Sequence, residues 1–469
     1  MQINRREVIW GSAATLVAFG ALSTGMSASG HSANAGLQLM PDPRGLLDLP
    51  EGFSYRLLSQ TGQPMSDGFL TPGRPDGMAC FPHPTEGGQV ILVRNHEIFA
   101  DVNDGKPFGA NGEMLSRVSP AKIYDARRPD DPFYGGTTNL VIDTASGEIV
   151  RDNLSLLGTV GNCAGGATPW GSWLTCEEQM LKPGEDGAQQ AHGFVFEVPA
   201  TAVGLVDPVP LKAMGRFAHE AASVDPGSGI VYLTEDSLTG LFYRFIPYSP
   251  GQLAKGGRLQ ALGIIGWDSA DTRNWARDWS TASARSIALG ESFAIRWIDL
   301  EDVEAPEADL AARGFAAGAA MFCRGEGMAY GARSESDKAH FFNCTQGGRD
   351  RSGQVWRYEP GAGEGTSAEQ PGKLTLIYES PGADTLDMCD NLAVAPWGDL
   401  ILCEDGRGDN YLRALTPKGQ IYDLARNAHG GRAEFCGACF SPDGRTMFVN
   451  VQEPGFTFAI TGPWDSLRS

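Results

Sequence analysis

The sequence predicts an all-β fold, a six-bladed β-propeller with a small helical insertion. Three observations carry that expectation. One hairpin pattern recurs six times, no copy of it shows a helical period, and glycine supplies 61 of the 469 residues, nearly twice its usual share of roughly 7%. Each copy opens on a polar residue, runs through a short apolar stretch, turns at Pro, Gly or Asp, runs through a second apolar stretch and closes on an acid or amide. The copies span Asp76–Glu97, Cys163–Glu178, Glu220–Asp236, Glu326–Asn343, Asp390–Asp405 and Glu434–Asn450. Units that cannot bury an apolar face alone stack on their neighbours, and hairpins stacked around an axis make a propeller. A two-sheet sandwich is the competing arrangement.

Taken in order, the chain begins with an address. Arg5-Arg6 precedes a stretch from Val8 to Pro41 without Asp, Glu, Lys or Arg, an apolar segment from Leu16 to Leu22, and an Ala33-Asn34-Ala35 cleavage pattern. Adjacent arginines before a weakly apolar segment read as a twin-arginine signal over residues 1–35. Asn4 and Val8-Ile9 depart from the usual residues of that signal. Residues 36–469 are then one domain. The short strand around Phe53 to Ser59 is expected to close the ring against the last blade. Turns such as Pro396-Trp397-Gly398 and Pro442-Asp443-Gly444 mark hairpins, because Pro and Gly supply the dihedrals a tight reversal needs. Further strand pairs lie between the units, at Asn139 to Val150 and Tyr411 to Ile421. The Ala-rich stretch from about 250 to 320 is expected to be the helical insertion.

Fifty-seven acids against 37 bases give a net charge of -20. That balance excludes nucleic-acid binding, which needs clustered Lys and Arg, and an electrostatic hold on anionic membranes. No segment after the signal is long and apolar enough for stable membrane insertion. Nine cysteines are an odd number for an exported chain, which leaves a thiol free or ligating. Cys80, Cys176, Cys403, Cys436 and Cys439 sit in or beside strand-like apolar runs and read as buried, inert thiols.

An antiparallel hairpin brings its first and last residues to one end. Six hairpins around an axis therefore gather a dozen polar side chains at one mouth. These are Asp76, Glu97, Cys163, Glu177 or Glu178, Glu220, Glu235 or Asp236, Glu326, Asn343, Asp390 or Asn391, Glu404 or Asp405, Glu434 and Asn450. So many carboxylates together require protonation or cations. Oxygen-rich ligation suits calcium, and a thiolate among carboxylates points to a softer transition metal. Zinc-binding, serine-hydrolase and phosphate-loop patterns are absent, and His192, His340 and His429 read as structural or surface residues. Arg324, directly before Gly325-Glu326, suits bidentate contact with a phosphate or carboxylate.

Several blocks resemble the PhoX alkaline phosphatases. They are Asn162-Cys163-Ala164-Gly165-Gly166, Thr168-Pro169-Trp170-Gly171, Thr175-Cys176-Glu177-Glu178, Arg94-Asn95-His96-Glu97, Arg216-Phe217-Ala218-His219-Glu220, Arg324-Gly325-Glu326-Gly327, Cys389-Asp390-Asn391 and Phe440-Ser441-Pro442-Asp443-Gly444. The resemblance implies an enzyme exported by the twin-arginine translocase to the periplasm or medium. A monomer is expected. It implies hydrolysis of small phosphate monoesters by a metal-bound oxygen nucleophile at a centre of two ferric ions and several calcium ions. Cys163, Glu178, Glu220, Glu326 and Asp390 match positions around the iron pair. Glu97, Asn391, Glu404, Asp405 and Glu434 match calcium positions, and Arg324 matches a position that contacts substrate phosphate. Two other functions compete on the residues alone: a calcium-dependent propeller hydrolase of lactonase or phytase type, and a non-catalytic binding propeller. The first gives Cys163 no task, and the second predicts no turnover.

Overall fold

The computed structural model describes residues 37–467, apart from 103–104, 129–130, 276–284, 333–337 and 431–432. The expected signal over residues 1–35 lies outside the described residues. Strands supply nearly all the regular structure, with one α-helix, Leu310–Ala316, among the described residues.

Each of the six sequence repeats is an antiparallel hairpin. In order, the hairpins pair Pro75–Pro82 with Gln89–His96, Asn162–Ala167 with Ser172–Glu177, and His219–Val224 with Val231–Glu235. The fourth to sixth pair Gly325–Ala332 with Lys338–Cys344, Cys389–Val394 with Leu400–Glu404, and Phe435–Phe440 with Thr446–Val451. The first strand of each hairpin is the inner edge of a sheet. The first hairpin is extended by Gly135–Asp143 and Ile149–Thr159, and the second by Val195–Pro199. The fifth leads a six-stranded sheet that ends on Leu47–Pro50 and Leu39–Met40. In the sixth, Ser54–Gln60 pairs antiparallel with Phe456–Thr461, so the expected closing strand is in place.

The arrangement is all-β and propeller-like, but its sheets are not all separate. The third and fourth hairpins share one ten-stranded sheet, joined where Ser292–Asp299 pairs with both Gly257–Ile264 and Lys373–Glu379. This corrects the expected helical insertion. Two strands of that sheet lie within 250–320, and the helix covers only seven residues. The reason is burial: the last six residues of Gly257–Ile264 are all buried, with a hydrogen-bonded strand on each side. Pairing on both edges satisfies a backbone that an apolar stretch would otherwise leave unpaired, and this overrides alanine's helical preference.

Hydrogen bonds link each hairpin to the next. Asn95 Nδ2 donates to the carbonyls of Cys163 and Ala164, and Cys163 Sγ donates to Glu220 Oε1. Thr234 Oγ1 donates to the Glu326 carbonyl, and Asn343 Nδ2 to those of Cys389 and Asp390. Gly437 N–H donates to Asn391 Oδ1, and Asn450 Nδ2 returns to the Asp76 carbonyl, which closes the ring. Small residues permit that approach. A Cβ on Gly77 would lie 2.6 Å from Ala164 Cα, and one on Gly327 would lie 2.4 Å from Leu392 N. Large side chains from the two halves of the ten-stranded sheet pack against one another, as with Tyr232, Phe242, Phe342 and Trp356. Each such side chain, fully buried, contributes about 1.5–3 kcal/mol.

Candidate metal centre

A one-residue bulge interrupts every hairpin near its open end. In the first, Pro75 pairs with His96 but Met78 pairs with Arg94. The other five carry the same irregularity. A bulge sets two residues against one and re-aims the side chains there. In the first five hairpins the second residue of the inner strand falls in this irregularity: Asp76, Cys163, Glu220, Glu326 and Asp390. In the sixth, the second residue, Cys436, still pairs with Asn450 and stands at the edge of the bulge.

A second repeated bond sets the rim. The residue after each hairpin donates its N–H to the carbonyl just before that hairpin's inner strand. The six pairs are Glu97 to Arg74, Glu178 to Gly161, Asp236 to Ala218, Thr345 to Arg324, Asp405 to Met388 and Gln452 to Glu434. Four of the accepting residues, Arg74, Gly161, Arg324 and Met388, have φ between 48° and 56°.

The two series converge. Ligand atoms of Asp76, Glu97 and Cys163 lie within 4.8 Å of one another, as do those of Cys163, Glu220 and Asp390. Asp76, Glu434 and Cys436 form a third such group, and Asp390, Asp405 and Glu434 a fourth. Cys163 Sγ donates to Glu220 Oε1 over 2.9 Å. Gln452 Nε2 reaches Asp76 Oδ2 at 2.8 Å and Glu97 Oε2 at 2.6 Å. Asn391 Nδ2 donates to Asp390 Oδ1 at 3.0 Å. Burial, then the charges of Asp76, Glu220, Glu97 and Glu178, push the Cys163 thiol well above its ordinary pKa. A bound cation reverses that balance, because it favours the thiolate.

Arg324 grips Asp236 through two bonds, Nε to Oδ1 at 2.7 Å and Nη2 to Oδ2 at 3.0 Å, and its Nη2 lies 2.8 Å from Glu326 Oε1. The guanidinium thus sits beside the inward carboxylates with its orientation fixed.

The acid that ends each of three hairpins has different work. Glu177 accepts the N–H groups of Val160, Gly193 and Phe194, and Glu235 accepts from Leu241 N–H and Tyr243 Oη. Glu404 accepts from Asp387 and Tyr411 N–H and pairs with Arg413 at 2.8 Å. Strand alternation explains this, since consecutive residues point to opposite sides. Of the expected ligands, Cys163, Glu220, Asp390, Glu97, Asp405 and Glu434 fall in the four groups. Glu178 acts on the Cys163 thiol, Glu326 meets Arg324, and Asn391 holds Asp390. Glu404 is held by Arg413 and is not in those groups. Asp76, expected at the mouth without a ligand role, and Cys436, expected to be an inert buried thiol, both enter the groups. Cys436 is the second residue of its inner strand, as Cys163 is of its own, a match that a repeat unit drawn from Glu434 hides. His192 is structural, buried between Glu177 at 2.6 Å and Asp125 at 3.3 Å.

The donor set fits cations. A metal held at ordinary Ca–O or M–S distances of about 2.0–2.5 Å puts its ligands no more than ~5 Å apart, and the four groups meet that spacing. Thiol and carboxylate donors together suit a transition metal, and the carboxylate-rich groups suit a hard cation.

Among the described residues, no helix is long and apolar enough to cross a membrane. The family profile described as "Alkaline phosphatase PhoX" matches residues 35–455. Among solved structures, Pseudomonas fluorescens PhoX in complex with vanadate, a transition state analogue, is similar with a TM-score of 0.65 and 18% identity, over 91% of this chain and 98% of that one. The Xanthomonas campestris gluconolactonase XC5397 aligns with a TM-score of 0.35 and 12% identity, over 92% of this chain and 99% of that one. No curated protein sequence matches the chain. The family match spans nearly the whole ring of hairpins and every residue of the four ligand groups, and so the chain belongs to the PhoX alkaline phosphatases, hydrolases of phosphate monoesters.

Proposed function

We propose that this phosphatase works at a mixed centre of two iron and several calcium ions at the mouth of a six-bladed propeller. One blade is assigned to each hairpin, with the third and fourth blades fused at their edges. The observation that carries the reading is the group of Cys163, Glu220 and Asp390, next to a second group that shares Cys163 with Asp76 and Glu97. Cys163, Glu178, Glu220, Glu326 and Asp390 are assigned to iron, and Glu97, Asn391, Asp405 and Glu434 to calcium. Glu404 is assigned a supporting part through Arg413. Substrates are small phosphorylated alcohols. Export by the twin-arginine pathway to the periplasm or medium, with loss of residues 1–35, and a monomeric state complete the proposal.

The bound cations would offset the carboxylates, draw in the phosphate dianion and lower the pKa of the attacking oxygen. The chain's own residues do the rest. Arg324 receives phosphoryl oxygens with its planar donors, and Asp236 and Glu326 keep it aimed at the mouth. Glu220 Oε1 accepts the Cys163 Sγ–H and so offers that proton a place to go on ligation.

The test is metal analysis joined to turnover of a chromogenic phosphomonoester. Iron and calcium in fixed ratio, with activity lost on chelation and regained on reloading, is the expected result. Full activity in protein free of iron overturns the assignment of iron.

A further inference from the structure

We propose that Arg74 is a second anion-binding residue, placed across the mouth from Arg324, that selects phosphate monoesters whose alcohol carries a second phosphate. This rests on the phosphatase reading and adds a substrate class to it.

The first argument is register. Arg74 and Arg324 hold the same place in their hairpins, directly before the inner strand. Both have left-handed backbones, with φ of 48° and 52°. Both offer their carbonyl to the residue that closes the hairpin, Glu97 N at 2.8 Å and Thr345 N at 3.0 Å. The same position in the other hairpins holds Gly161, Ala218, Met388 and Glu434, so arginine occurs at two of the six. A left-handed backbone favours glycine, and Gly161 shows that glycine serves there.

The second argument is position. The ring runs first to sixth hairpin through named hydrogen bonds and closes on Asp76. The first and fourth hairpins are therefore opposite one another. Carboxylates occupy much of the mouth between them, and they repel a second anionic group. Arg74 supplies an attractive end point for it.

The third argument is availability. Arg74 Nη2 meets Glu453 Oε1 at 2.8 Å, and the two side chains are 21% and 43% exposed. The pair is half-buried, not enclosed, and a phosphate offers the guanidinium a charge-assisted partner of the same sign as the Glu453 carboxylate, so it competes directly for that bond. Glu453 follows Gln452, which bonds both Asp76 and Glu97, and Arg74 accepts the Glu97 N–H at its carbonyl, so both partners of the ion pair are joined through the backbone to residues that hold the inward carboxylates.

The experiment compares kcat/KM for glycerol 1-phosphate and fructose 1,6-bisphosphate in the wild type, Arg74→Ala and Arg74→Lys, with bisphosphate binding measured by calorimetry and metal content checked in each. The expected result is a ratio of bisphosphate to monophosphate that falls about tenfold or more in Arg74→Ala, mainly through KM, with partial recovery in Arg74→Lys. An unchanged ratio, or equal losses on both substrates, overturns the proposal. A wild type that binds the bisphosphate in an Arg74-dependent way but turns over neither substrate overturns the phosphatase reading instead.

Discussion

Cys163 and Glu220 belong to adjacent hairpins, and their side chains meet sulfur to oxygen at 2.9 Å. The contact joins two inner strands at their bulges, so the thiol and the carboxylate face one point from two directions. Cys163→Ala is expected to lose more than ~100-fold in iron affinity, since removing a ligand costs more than the 10–100-fold typical of a supporting residue. Metal content and the visible absorption of ferric thiolate check it, with activity falling in parallel.

Arg324 is bound to Asp236 through two parallel bonds. Arg324→Ala removes the guanidinium that the proposal assigns to the phosphoryl oxygens. A loss of about 10²–10³-fold in kcat/KM is expected, the range for one preorganised donor. Arg324→Lys recovers only part of it, because an ammonium lacks the planar pair of donors. Steady-state kinetics at constant metal content makes the measurement.

Glu404 and Asp405 are neighbours in sequence with opposite duties. Glu404 is held by Arg413 and two backbone N–H groups, whereas Asp405 lies in a ligand group with Asp390 and Glu434. Glu404→Gln is expected to lower the melting temperature and keep the metal stoichiometry. Asp405→Asn is expected to lower the metal content. Calorimetric melting beside elemental analysis separates them.

His192 is buried, and although burial disfavours its charge, Glu177 and Asp125 outweigh this and raise its pKa to about 9. Its folded pKa lies above the unfolded value of roughly 6.5. The stabilisation is therefore complete below pH ~6.5 and is lost as pH rises through about 9. Melting temperature measured from pH 6 to 10 should fall across that window. His192→Ala strands two buried carboxylates, a loss of about 3–5 kcal/mol, and its decline over the same range should be smaller.

All six hairpins were legible in the sequence because apolar run, turn and apolar run are local features, set by nearest neighbours. The closing strand near Phe53 was legible on the same ground. The acid pairs were not. Glu177 and Glu178 differ only in which way the strand turns each one, and the bulge that sets this phase leaves no residue signature of its own. Cys436 looked like a core thiol because its neighbours Phe435 and Gly437 are apolar or small, while its ligand-group partners Asp76 and Glu434 come from the far end of the chain and from outside the strand. The stretch from 250 to 320 misled because alanine content reports helix propensity, whereas pairing on both edges decided its outcome.

The pairing of Ser54–Gln60 with Phe456–Thr461 has a consequence for how the molecule comes to exist. The first strand of this sheet to leave the ribosome must wait for the last. Contacts so distant along the chain form slowly, because the intervening loop must be gathered before they repay its entropy. The sixth sheet is thus completed only at the end of synthesis, and a chain cut short before Phe456 keeps its hairpins but leaves Ser54–Gln60 without a partner strand.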